Sequence, residues 1–123
     1  MKREITSHRD GGLNDRLKIV TGIEAPSAGG ADWYYEITAG TGSEGFAHGL
    51  TFQHEIVGVA GIHGLTNEAL VAVVIDRLER FQLGPFSCSE NERALELLTL
   101  ALFTLRGRVA DRIARGVLDR HAP

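Results

Sequence analysis

The chain has 123 residues, 43% of them hydrophobic, and a formal net charge of -3 at neutral pH. That length suits one domain with its own core. The lack of any apolar run of about 18 residues excludes a membrane-spanning helix, and the negative balance excludes a protein that coats DNA or RNA through surplus cations.

The first twelve residues, MKREITSHRDGG, are charged and polar where a signal peptide needs an apolar segment, and read as a flexible arm. Three segments then read as strands: Arg16 to Ile23, Asp32 to Ala39 and His48 to Val57. Each is rich in β-branched or aromatic residues and bounded by Gly or Pro clusters. Trp33, Tyr35 and Ile37 alternate with Tyr34, Glu36 and Thr38, which gives one apolar face per strand. Between the second and third lies GTGSEG, residues 40–45, a literal G-x-G-x-x-G. A dinucleotide loop must open a helix, whereas FAHGLTF reads as another strand, so a hairpin loop is expected here.

From Thr66 the period changes from two to 3.6. Thr66 is placed to cap a helix, with Glu68 in its first turn and Leu65 and Leu70 spaced as a hydrophobic staple. Leu70, Val74, Leu78 and Phe81 share one face until Gly84 and Pro85 end the helix. Ser89 to Glu92 fits the capping box S-x-x-E, and Leu95, Leu98, Leu102, Leu105, Val109 and Ile113 follow at steps of three and four. FQLGPFSCSEN, residues 81–91, is therefore the hinge of a helical hairpin whose second helix runs for about 25 residues. The expected class is α+β: a small N-terminal antiparallel β-meander followed by a C-terminal two-helix hairpin. As one domain, 1–12 is the arm, 13–64 the sheet and 65–117 the hairpin.

Few residues suggest chemistry. His8, His48, His54, His63 and His121 show no i, i+4 pairing, so no metal or other cofactor is expected. Cys88 is the one cysteine, too solitary for an internal disulfide, which agrees with a reducing compartment. It precedes the long helix, where the dipole favours a thiolate, and packing is the plainer role. Residues 106–123 carry five Arg against two Asp, a local +3 on a body of -6. Arg108, Arg112 and Arg115 recur at i, i+4 and i+7 on one side of the helix, a spacing that suits phosphate or, more simply, solvation and intermolecular ion pairs.

The segment FQHEIVGVAGIHGLTNEALVAVVIDRLERFQLGPFSCSENERAL, with RGRVADRIARGV after it, resembles the phage Thoeris anti-defence proteins. Their helical hairpin is shared with the phage anti-CBASS cyclic-oligonucleotide sponge. The likeness covers about residues 50 to 121 and is most specific in the GPF-C-EN hinge and the spaced arginines. It implies a non-enzymatic sponge in the cytoplasm of an infected bacterial host, holding glycocyclic ADP-ribose isomers or cyclic oligonucleotides away from immune effectors. It further implies Phe81, Asn91 and Arg108 as ligand contacts, with Arg112 as a second arginine. An aromatic face suits adenine, an amide suits base or ribose edges, and guanidinium suits pyrophosphate. Ala60 replaces the asparagine of the usual GVNGV, Ser89 the usual arginine before EN, and Leu118 to His121 the closing EGTH; these changes bear on which cyclic nucleotide is preferred.

Geometry adds a requirement. Asn91 and Arg108 are seventeen residues apart, about 25 Å along a continuous helix, too far to grip one small ligand from one chain. A homo-oligomer, a dimer or an assembly of dimers, would close the site with two equivalent pockets. The alternatives are a phosphodiesterase or thiol hydrolase using His54, His63 or Cys88, and an assembly factor whose hairpin only oligomerises.

Overall fold

The computed structural model describes residues 2–22, 24–25, 30–40, 45–55 and 57–116. The chain divides into two compact units, residues 1–65 and 66–123. The class is α+β, with an antiparallel sheet in the first unit and a helical hairpin in the second.

In the first unit, β1 (Arg3–Ile5), β2 (Lys18–Thr21), β5 (Tyr34–Ala39) and β6 (Phe46–Thr51) form a four-stranded sheet in the order β1-β2-β5-β6. The register sets Ile5 against Ile19 and Ile19 against Ile37, an apolar row across β1, β2 and β5, and sets Tyr35 against Leu50 on β5 and β6. Thr21, only 4% exposed, donates its hydroxyl to the Tyr34 carbonyl at 2.8 Å and so leaves no orphaned polar group. A two-residue ladder joins β3 (Glu24–Ala25) to β4 (Ala31–Asp32). Strands β5 and β6 pair as far as Ala39 opposite Phe46, so the glycine-rich segment joins a hairpin and opens no helix; residues 41–44 themselves lie outside the described residues.

Two sequence expectations are corrected in this unit. Residues 2–12 are not a mobile arm. Arg3–Ile5 is the edge strand β1, Arg3 forms an ion pair with Asp32, and the His8 imidazole donates to the Leu17 carbonyl at 2.6 Å. Asp15, in a 3-10 turn spanning Leu13–Arg16, accepts the Asp10 and Gly11 amides at 2.9 and 3.0 Å. The Gly11 and then the Asp10 hydrogen bonds hold its carboxyl below the ordinary carboxylate range. A charged segment is thus ordered by partners distant in the chain, which composition does not reveal.

The third strand also does not run from His48 to Val57. It begins at Phe46 and ends at Thr51, because the chain folds back on itself over Gln53 to Leu65. The Gln53 amide donates to Leu65 O and the Leu65 amide to Thr51 O, both at 2.8 Å. The Gln53 side chain fills the turn, with Oε1 accepting from His63 and Gly64 at 3.0 and 3.2 Å and Nε2 donating to Gly61 O at 2.8 Å. A single helical turn, α1 (Val57–Ala60), lies within this clasp.

The second unit pairs α2 (Asn67–Gln82) with α3 (Ser89–Ala114). Thr66 caps α2 as expected, accepting the Ala69 amide at 3.1 Å. The α3 cap is Cys88 and not Ser89: its thiol accepts the Asn91 amide at 3.5 Å, while Ser89 opens the helix and turns its hydroxyl to Glu90. The one-residue shift follows from the extended backbone of Cys88, which aims its side chain back at the first free amides. On α3, Leu95, Leu98, Leu102, Leu105 and Val109 are half-buried, whereas Ile113 is exposed. With 26 residues against 16, α3 outruns α2 by about 15 Å.

Candidate functional site

The hinge gathers two of the four residues singled out from the sequence. Phe81 lies in the last turn of α2 and remains 37% exposed. The Phe86 ring meets it nearly perpendicular, with centroids 6.3 Å apart, and the Arg77 guanidinium lies over it at 5.3 Å. Asn91, in the first turn of α3, is half-buried and donates from its side-chain amide to the Phe86 carbonyl at 3.3 Å. Its Oδ1 takes no partner among the described residues and is the group left to meet a donor.

What closes the hinge is Gln82, which the sequence reading passed over. Its amide donates to the Cys88 carbonyl and accepts the Cys88 N–H, both at 3.0 Å, in the manner of a second peptide group. The only advance signal was a long polar residue at the end of an apolar helix face. Gln82→Ala is expected to destabilise the hairpin by about 1 to 2 kcal/mol, two exposed neutral hydrogen bonds at the low end of their usual range. Chemical denaturation followed by circular dichroism at 222 nm checks it, and an unshifted midpoint would show the clasp to be incidental.

Arg108 and Arg112 lie toward the far end of α3. Arg108 is exposed and has no hydrogen-bond or ion-pair partner among the described residues, whereas Arg112 is half-buried. Arg115 pairs with Asp111 at 3.0 Å, which removes it from the shared basic face that the spacing suggested. Arg120 lies outside the described residues. Because α3 is unbroken from Ser89 to Ala114, Asn91 and Arg108 are about 25 Å apart, as the sequence geometry required. The same end of the hairpin carries an open groove of about 390 Å³ lined by Thr66, Glu68, Arg106, Val109, Ala110 and Ile113. Its lining is largely aliphatic and includes the Glu68 carboxylate, a poor match for phosphate.

Of the residues considered for hydrolysis, Cys88 is occupied as a helix cap. His54 and His63 approach one another in the first unit, with ring nitrogens 3.0 Å apart, and Trp33 stacks on His54 at a centroid distance of 4.2 Å. The reversal at Gln53 creates this pair, so helical spacing was the wrong test for it. The His63 Nε2 also accepts the His54 backbone amide at 3.2 Å, and both rings are thereby tied into the clasp.

The chain is of the α+β class, and its helical hairpin carries an aromatic and amide cluster at the hinge and an exposed arginine far along α3. Among the described residues no helix is long and apolar enough to cross a membrane. No protein-family model matches the chain. It is 43% identical over 72 residues to Thoeris anti-defense 1 of Bacillus phage SBSphiJ7, a match that takes in 58% of this chain and 51% of the relative. The resemblance to the Thoeris anti-defence family read from the hinge and the arginine spacing therefore holds, and the chain spans about half the length of the curated relative it matches.

Proposed function

We propose that this chain binds a glycocyclic ADP-ribose isomer and holds it chemically unchanged, blocking Thoeris-type immunity in the cytoplasm of an infected bacterium. The observation that carries the reading is a separation along the hairpin. Phe81 and Asn91 lie at the hinge, and Arg108, exposed and unpaired among the described residues, is about 25 Å from Asn91 along α3. The similarity to Thoeris anti-defense 1 supports the same reading. In this reading Phe81 stacks on adenine, Asn91 Oδ1 accepts from a base or ribose edge, and Arg108, with Arg112 behind it, faces the pyrophosphate.

A second chain is required, and the hairpin has surface to meet one. Leu97, Leu100 and Phe103 on α3 are 50%, 61% and 72% exposed, and no residue of either long helix is buried. An apolar flank of this kind is the expected core of a homodimer or of an assembly of dimers. Neither long nucleic acid nor a membrane is among the proposed partners. Cyclic oligonucleotides are a further ligand class for such an assembly.

Sequestration is tested by recovery. After incubation with glycocyclic ADP-ribose and heat denaturation, mass spectrometry should return the ligand intact, because binding energy spent equally on ground and transition states lowers no barrier. Linear ADP-ribose or AMP in the supernatant would establish the hydrolase reading instead, with Cys88→Ala and His54→Ala as the variants to follow.

A further inference from the structure

We infer that Arg77 is a positioning residue for Phe81. The inference rests on the reading of Phe81 as the base platform and names what holds that platform in place. Arg77 and Phe81 are four residues apart on α2, one above the other on the same side of the helix. The guanidinium carbon is 5.3 Å from the ring centroid, inside the distance at which a cation is attracted by the ring's negative face. Arg77 has no ion pair among the described residues, so this stack is the contact that engages its charge.

An exposed phenylalanine at a helix end ordinarily samples several rotamers, and a ligand that stacks on it must first stop that motion. Here the ring is pinned by Arg77 over it and by the perpendicular Phe86, yet keeps 37% of its surface open. The stack thus orders the platform before a base arrives. Planarity and charge both serve, so lysine should replace arginine better than an uncharged chain of similar length does.

The test is a double-mutant cycle on the full chain, with affinity for glycocyclic ADP-ribose measured by calorimetry at low and high salt. Arg77→Met should weaken binding about three- to ten-fold, and Arg77→Lys, which keeps the charge but not the plane, should recover part of that loss. In a Phe81→Ala background Arg77→Met should have no further effect, and the salt dependence of binding should match that of the unaltered chain. A full additional loss in the Phe81→Ala background, with a shallower salt slope, would overturn the inference in favour of a direct phosphate contact. Unchanged affinity in Arg77→Met, alongside weak binding by Phe81→Ala, would overturn it in favour of a purely structural stack. Tight binding by Phe81→Ala would be distinct, since it removes the base platform itself and the inference with it. Thermal unfolding of each variant separates lost affinity from lost fold, because Arg77 is exposed and its replacement leaves no cavity.

Discussion

Mixing two variants that each bind poorly should restore binding. Arg108→Ala removes a charged donor proposed to face pyrophosphate, and loss of one such hydrogen bond costs about 1.5 to 3 kcal/mol, roughly ten-fold to more than a hundred-fold in affinity. Asn91→Ala removes the amide at the opposite end of the same helix. If each pocket takes Asn91 from one chain and Arg108 from its partner, a mixed dimer has one pocket with both changes and one with neither. After random exchange about half the dimers are mixed, so about one quarter of all pockets should be intact, and titration should find that fraction binding at full affinity. Asn91→Ala also severs the bond to the Phe86 carbonyl, so its hairpin stability is measured first. Mass-verified exchange without any recovery would sink the shared pocket. Arg106→Ala is the control for charge alone: it lies two residues and about 200° around the helix from Arg108, on the side of the aliphatic groove. Equal losses at both arginines, erased by salt, would mean a diffuse basic field and no pocket.

Gly64→Ala should cripple the first unit. A Cβ at that position would stand 2.5 Å from the Phe52 carbonyl carbon, 2.6 Å from the Gln53 nitrogen and 2.8 Å from the Phe52 oxygen. All three are backbone atoms, so no side chain can swing aside. Separating the two strands of chain strains or breaks the Gln53 to Leu65 and Leu65 to Thr51 hydrogen bonds and loosens the Gln53 side chain from His63 and Gly64. Overpacking costs about 1 to 3 kcal/mol and each neutral hydrogen bond about 1 more, so a loss of about 2 to 4 kcal/mol is expected. For a domain of ordinary stability that is a large fraction of the total, and it lowers the melting temperature by about 10 to 25 °C. Trp33 is the one tryptophan of the chain and stacks on His54 within the clasp, so its fluorescence reports the unit directly. An unaltered melting curve for Gly64→Ala would mean that the close approach of Gly64 to Phe52 is relieved without cost.

These two experiments divide along the line between local and non-local order. Periodicity and end signals in the sequence were enough for both helices of the hairpin. The Thr66 cap, the break after Gln82 and the run of Leu95, Leu98, Leu102, Leu105 and Val109 depend only on residues within a turn or two of one another. The separation of Asn91 and Arg108 was likewise legible, since the rise of an unbroken helix converts residue number into distance. The alternation in Tyr34–Ala39 marked a strand for the same reason: a period of two is a property of the extended chain itself.

Only tertiary structure decided what depends on pairing between distant segments. Arg3–Ile5 is a strand because Ile19 to Thr21 lie beside it, and Asp32 holds Arg3 from across 29 residues. The reversal at Gln53 ended β6 early, brought His54 to His63 and pressed Gly64 against the backbone of Phe52. At the hinge, Phe86 and the Gln82 amide converge on Phe81, Asn91 and Cys88 through a turn whose geometry no propensity specifies. Helix period and caps are set by neighbours along the chain, so the amino-acid order determines them. Contacts across folded segments are set by which surfaces exclude water together and which polar groups then find partners, and those choices exist only once the chain has folded.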